Sequence, residues 1–324
     1  MTTKVLAGRT AAQAVSPESR RIRRLPGRLA ARLVRWVRRG GLSALIFMIP
    51  LLVVFGVFSW WPIARGLVMA FQQTNLVEPA QWVGLDNFRK VLADPLLMVA
   101  VRNTAWFALL ALIFGYPAPL ALAIFVRELR RGRGLFSVLA YLPVVLPPVV
   151  AILLWRVFYD ASESGLFNTL ARAVGLGPFQ WLQDPRSAMP SIVLEATWAG
   201  AGATMIIYLA ALSGVRSDLY EAAEIDGASI WQRIVHVTLP QLRTILLITL
   251  LLQIIGTFQV FTEPFLFTGG GPANATTTIL MLLYNYAFIN GDYGGATALS
   301  VLLAIFLGLL SLAYFRLTRG WSTT

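Results

Sequence analysis

Six stretches of this chain, residues 42–63, 100–126, 135–159, 190–214, 244–267 and 296–315, are apolar over about the 20 residues a helix needs to cross a hydrocarbon layer. Runs of this length belong either to the core of a large soluble domain or to a membrane. Composition decides between the two. Of the 324 residues, 57% are hydrophobic and 13% are charged, where a soluble domain carries about 25% charged. A soluble core of this size would lack the charged shell to cover it, so lipid is the solvent for much of the surface. With no water to satisfy the backbone, the spans are helical. The expected class is an all-α, polytopic membrane protein with six transmembrane helices. Prolines and glycines concentrate in the second to fourth spans, as in Pro117, Pro119, Pro143, Pro147, Pro148 and Ala199–Ala203. Small residues let helices approach closely, so these three spans read as inner, packed helices.

The chain opens with eleven Lys and Arg before Gly41, out of 27 in all, and the net charge is +12. This basic region is too long for a signal peptide, and so is the apolar run behind it, which no small-residue cleavage site follows. It reads as a tail, residues 1–41, leading into an uncleaved first helix. Placing that tail inside puts 20 of the 27 basic residues on the cytoplasmic side and 7 on the other. Both termini, including a short tail at 317–324, are then cytoplasmic. So is the polar segment 215–243. Within the N-terminal tail Leu29, Leu33 and Trp36 share a helical face between arginines. That suits either an interfacial helix on anionic lipid or an unstructured topology anchor. Lipid is a nearer partner for it than nucleic acid.

Several chemistries are missing from the sequence. There is no cysteine, hence no thiolate nucleophile or cysteine metal site. The two lysines, Lys4 and Lys90, follow no glycine-rich phosphate loop, and the single histidine, His236, has no metal-binding companion. No nucleophile, base and orienting acid fall together, so no catalytic or metal residue is assigned. Acidic residues inside spans are functional candidates. Only Glu195 and Glu263 qualify, and both fall toward the outer ends of their spans, where a carboxylate is expected to reach water. A proton-coupled carrier would want acids nearer the midplane.

The segment "EAAEIDGASIWQRIVHVTLP", Glu221 to Pro240, is too polar to span and too apolar for an idle loop. It reads as helix, turn, helix: Asp218 caps the first helix with Glu221 three residues on, Gly227 makes the turn, and Pro240 closes the second. Ile230, Ile234 and Val237 share a face, with Trp231 and Val235 beside them. An apolar patch rimmed by charge, held in the cytoplasm, meets a partner unless it lies against the membrane as a re-entrant or interfacial helix.

This segment resembles the E-A-A signature of the membrane permeases of ABC importers. Glu221, Ala222, Ala223, Asp226, Gly227, Ala228, Leu239 and Pro240 match the signature, and Ile234 takes a position often filled by Phe. "WVGLDNFRKVLADP", "LPVVLPPVVAILLWRVFY" and "FTGGGPANATTT" look like the carbohydrate-uptake branch, in particular its maltose-transporter-like first permease. The resemblance covers most of the chain from Leu42 to Arg316 and not the basic tail. It implies the type I importer permease fold over residues 42–316, in a bacterial-type inner membrane. It also implies that 217–240, with Trp231, docks on a separate cytoplasmic ATPase dimer that carries ATP and Mg. A second homologous permease and an extracytoplasmic solute-binding protein complete the system, and rocking of the two permeases alternates access. This chain would hold half of the path and no cofactor.

A sugar needs hydrogen-bonding side chains and an apolar wall deep in the bundle. Gln253, Thr257 and Val260 follow at helical spacing on the fifth span, with Gln259 adjacent, and Gln253 falls near the midplane. Trp198 and Gly200 lie at comparable depth on the fourth, where glycine would leave room for a ligand. Gln253 and Thr257 equally suit hydrogen bonds between helices, and Trp198 suits packing somewhat better. The competing readings are the same architecture carrying a non-sugar solute such as glycerol phosphate, an ion-coupled secondary carrier, and a membrane scaffold.

Overall fold

The computed structural model describes residues 41–129 and 131–320. The basic tail, with Leu29, Leu33 and Trp36, and the last residues of the C-terminal tail lie outside them. The chain divides into two compact units, Met1–Arg65 and Gly66–Thr324. The first span is the helix Ser43–Met69, built from α1 (Gly41–Phe55), a π turn (Gly56–Trp60) and α2 (Trp61–Met69).

The second unit begins with a small outer layer. A two-stranded antiparallel ladder pairs β1 (Gln72–Gln73) with β2 (Gln81–Trp82), and α3 (Asp86–Ala93) follows. Asn87 pins this layer by donating its side-chain amide to the carbonyls of Ala70, at 3.0 Å, and Gln72, at 2.9 Å. Next come α4 (Pro95–Leu110), a π turn (Ala111–Gly115) and α5 (Pro117–Glu128), which together make the second span. Five helices are long and apolar enough to cross a membrane, or six when α6 (Arg133–Val145) and α7 (Pro148–Phe158) count as one broken span.

That third span is sharply bent. α6 and α7 meet at 100°. Leu146 and Pro147 each precede a proline and take extended backbone, with ψ of 135° and 133°, because the following pyrrolidine ring excludes the helical region. α6 also exposes most of its side chains, Leu135, Val138, Leu139, Leu142 and Val145 among them. Within this chain its packing is confined to the side that meets α5 and the helix Ala188–Ser213.

The fifth span also ends early. α12 (Leu239–Thr257) stops at Phe258, and α13 (Thr262–Thr268) is a separate short helix. The break is held by the Thr278 hydroxyl, which donates to the Val260 carbonyl at 2.9 Å. Val260 is thus off the helix that carries Gln253 and Thr257. The loop before Thr278 is itself tied to the second span. Asn103 donates to the carbonyls of Asn274 and Thr277 at 2.7 and 3.0 Å, and Thr104 accepts from the Ile279 amide at 3.1 Å. The apolar helix Ile279–Ile289, unexpected from the sequence, follows. At 1.5 Å per residue it is about 16 Å long, too short to cross. α15 (Tyr293–Thr318) is the last span, capped by Asp292, whose carboxylate accepts from the Gly295 amide at 2.8 Å.

At three places among the described residues a proline is taken up by a wider turn and the helix continues. In each, the residue before the proline donates its amide to a carbonyl five residues back: Trp61 to Gly56, Tyr116 to Ala111, Leu239 to Ile234. Pro62, Pro117 and Pro240 follow at the same offset. Proline lacks the N–H for the usual bond, and its ring presses on the carbonyl four residues back. One extra residue in the turn makes room for the ring, and the helix continues.

The bundle is organised around α9 (Ala188–Ser213), which packs on α4, α5, α6, α7, α12 and α13. It meets α6 most tightly at Gly202, where a Cβ would lie 2.3 Å from the Ala140 carbonyl oxygen. At Gly200, two residues earlier, a Cβ would meet nothing within 4 Å. Gly202→Ala is therefore expected to destabilise the detergent-solubilised protein by about 1–3 kcal/mol, read as a lower thermal midpoint. Gly200→Ala should leave the midpoint unchanged or raise it, by up to about 1 kcal/mol.

Candidate coupling element and solute path

The E-A-A segment forms α10 (Ser217–Ile225) and α11 (Ile230–Arg233), which a π turn, Ile234–Thr238, joins to α12. The helix–turn–helix reading holds in outline and changes in three details. Asp218 is not the cap: Arg216 is, with no side-chain bond, and Asp218 lies in the first turn, paired with Arg216. Pro240 does not close the second helix, because the π turn absorbs it and one helix runs from Ile230 to Thr257. Ile234 turns inward, half-buried, onto a small cavity of about 20 Å³ shared with Ile124, Arg127, Leu212 and Tyr220.

The turn between the helices is built from both sides. Gly227 has φ +75°, which a side chain rarely tolerates. Its amide donates to the Glu224 carbonyl and that of Ala228 to the Ala223 carbonyl, at 3.0 and 2.9 Å, closing the helix as a Schellman motif. Ser229 then opens the next: its hydroxyl accepts from the Gln232 amide at 3.3 Å, and the Gln232 side chain accepts from the Ser229 amide at 2.7 Å, a capping box. Arg233 pairs with Glu224 across the turn. These bonds hold Ile225, Ile230 and Trp231 out in the open, 86%, 61% and 72% exposed. Glu221, Ala222, Asp226 and Gly227 are exposed beside them, and Ala223 and Ala228 are half-buried. Leu239 and Pro240 lie further along, where the helix enters the bundle.

Tyr220, which sequence reasoning passed over, fixes this element to two spans. Its hydroxyl accepts from Arg127 Nη1 at 2.9 Å and shares a 3.0 Å hydrogen bond with Thr238. The Arg127 guanidinium also lies 4.4 Å from the ring centroid, within cation–π range. Arg127 stands at the end of the second span, and Thr238 is in the π turn beneath the fifth.

Deeper in the bundle, a cavity of about 490 Å³ opens between the second, fourth and fifth spans. A smaller one of about 230 Å³ shares Phe107, Gly115, Gln253 and Thr257 with it. Gln253 and Thr257 line both, Gln259 lines the larger and Gly200 the smaller. Thr257 donates to the Ile254 carbonyl at 2.9 Å, whereas the Gln253 amide has no hydrogen-bond partner among the described residues. Gly115 makes room here, since a Cβ would fall 3.2 Å from Thr197 Oγ1 and 3.6 Å from Gln253 Nε2. Trp198 lines neither cavity. It packs on Trp155, with ring centroids 5.5 Å apart, in an aromatic cluster with Tyr159 and Phe167. Sequence reasoning missed Tyr116, Thr204, Thr249 and Thr262, which also line the larger cavity. The signal was present: Thr249, Gln253 and Thr257 recur every four residues on one helix face. Glu263 lines the larger cavity as well, half-buried. Glu195 does not reach water as expected: it is 2% exposed, and its Oε2 has no partner.

Residues 115–320 match the family described as binding-protein-dependent transport system inner membrane component. The chain belongs to this family. It is therefore a helical permease subunit of an ABC importer and not an enzyme. Among named relatives, the trehalose/maltose transport system permease protein MalF of Thermococcus litoralis is 31% identical over 275 residues, covering 85% of this chain and 92% of the relative. The lactose transport system permease protein LacF of Rhizobium radiobacter is 32% identical over 280 residues, covering 85% and 93%. A chain from the crystal structure of a bacterial ABC transporter that imports the acidic polysaccharide alginate superposes with a TM-score of 0.78 at 28% identity, covering 89% of this chain and 98% of that one. A bacterial alginate ABC transporter has also been solved in complex with an alginate pentasaccharide-bound periplasmic protein.

Within the family's E-A-A segment the capping box carries a direct test. Ser229→Ala is expected to cost about 1 kcal/mol at the start of α11. Hydrogen exchange at the first amides of that helix should then quicken about fivefold, while exchange in α9 stays unchanged.

Proposed function

We propose that this chain is one of two homologous permeases of a sugar importer, with residues 217–240 docked on a cytoplasmic ATPase dimer that binds ATP and Mg. Both termini lie in the cytoplasm, and an extracytoplasmic binding protein delivers the sugar. One observation carries the reading. The exposed apolar tip, Ile225, Ile230 and Trp231, sits at the foot of a helix, Ile230–Thr257, whose other end holds Gln253 and Thr257 in the cavity wall. Its 28 residues make a rod about 40 Å long.

A displacement at the tip is carried along this rod to the cavity. The opposite wall of the cavity comes from the second and fourth spans, through Phe107, Tyr116, Ala196 and Thr204. Moving the fifth span against them changes the shape of the space between. Tyr220 ties the first coupling helix to Arg127 as well as to Thr238, so the second span is drawn along. ATP and loaded binding protein both act by favouring one access state over the other.

Sugar as cargo is supported by the names of the relatives and by the lining. Gln253, Thr204, Thr249 and Thr257 line the space alongside Phe107 and Phe261, a pairing of polar side chains and aromatic rings that suits a saccharide. We assign Gln253, Thr257, Gln259 and Gly200 to the path. Trp198 supports it from behind, through the aromatic cluster.

In proteoliposomes holding the complete transporter, Gly227→Pro and Asp226→Lys should abolish uptake, since proline cannot adopt a positive φ. Retention of both uptake and ATPase co-purification in these variants would overturn the docking role. Tyr220→Phe keeps the ring under Arg127 and removes both hydroxyl bonds, so the ATPase should remain bound while transport per ATP hydrolysed falls. Gln253→Ala should raise the sugar concentration needed for half-maximal transport by about tenfold, the loss of one to two hydrogen bonds.

A further inference from the structure

The linings of the two cavities are uncharged but for one side chain, Glu263. Neither contains a lysine, arginine or histidine. Arg102 and Arg156, which also fall in the second and third spans, line neither cavity and are exposed. Close to Glu263 is a second carboxyl, Glu195, within electrostatic reach and buried at 2% exposure, with Oε2 unpartnered. Neither acid is in an ion pair among the described residues. The wall's one ionisable lining group is thus an acid with no basic side chain beside it in the lining, a source of negative potential. In a cleft walled by apolar side chains such a potential is focused rather than screened.

We propose that this wall is a charge filter, set by Glu263, that admits neutral and cationic saccharides and rejects anionic ones. The proposal rests on the reading of the cavity as the sugar path. It separates this chain from the alginate importer it superposes on, whose cargo is an acidic polysaccharide. It also disfavours phosphorylated solutes, which would meet a carboxylate and no cation. An anionic sugar would need at least one basic side chain in the lining to replace the water it loses, and the wall supplies none. The Gln253 amide and threonine hydroxyls serve a neutral hydroxyl or an ammonium equally well.

The chain has no cysteine of its own, so Gln253→Cys places a single reporter thiol in the cavity of the assembled transporter. Its modification by a cationic and by an anionic methanethiosulfonate is followed by the mass of this chain, each rate divided by that reagent's rate with a small free thiol. The expected preference for the cation is about a hundredfold, since one charge at about 10 Å and an effective dielectric of about 20 speeds the cation and slows the anion about tenfold each. Adding Glu263→Gln should bring the ratio toward unity, and Glu263→Arg should invert it. A ratio near unity in the parent, or one that Glu263→Gln leaves unchanged, overturns the filter while leaving the path reading intact. If neither reagent reaches the introduced thiol, with or without ATP, the path reading itself fails and the filter with it. Millimolar neutral or amino trisaccharide should protect that thiol, and a uronic trisaccharide should not. Equal protection by all three, or by none, overturns the saccharide assignment.

Discussion

A backbone amide in hydrocarbon has no water to bond, so every helix of this protein must satisfy its own N–H and carbonyl groups or borrow a partner from a neighbour. The rest of the structure follows from that constraint, because the chain places prolines inside its spans. At Pro62, Pro117 and Pro240 a wider turn keeps the helix whole. At Leu146–Pro148 extended residues bend it by 100°. At Val260 a threonine hydroxyl from another segment supplies the missing bond. These are three answers to one physical demand, and they determine which helices act as rods and which as walls.

The rod matters most for function. Had Pro240 ended the helix, the exposed tip would hang from a flexible joint, and a push on it would be lost in the joint. The π turn instead joins the tip to the helix that lines the cavity. Tyr220 adds a second attachment through Arg127. The turn of the E-A-A segment is capped on both sides, by Gly227 and by Ser229 with Gln232. The family signature is thus a set of backbone requirements: a glycine where φ is positive, a short helix before it, and a proline the next helix can accommodate.

The cavity shows how one helix serves packing and space together. On α9, Gly202 brings the α6 backbone to within contact, while Gly200 faces the smaller cavity and leaves it open. Trp198, which sequence reasoning put in the path, belongs to the aromatic layer behind it. Both assignments turn on rotation about the helix axis, about 100° per residue. Such a rotation is legible in a sequence only when one face is clearly polar, and α9 has no such face: its polar and apolar residues are spread around it.

Order along the chain is enough to establish that the protein is helical, membrane-embedded and near six spans. It also locates the polar segment Glu221–Pro240 and its family, because hydropathy, charge bias and a long ungapped motif are all linear properties. The inward-facing row on the fifth span is legible too, from its four-residue spacing. Tertiary packing alone settles that Pro240 lies within a helix, that the third and fifth spans break, that Glu195 is buried, and that Glu263 and Gln253 share one cavity. Those outcomes depend on which distant groups meet: Thr278 with Val260, Asn103 with Thr277, Tyr220 with Arg127. Such bonds form between segments that only packing brings together, so local propensity carries no record of them.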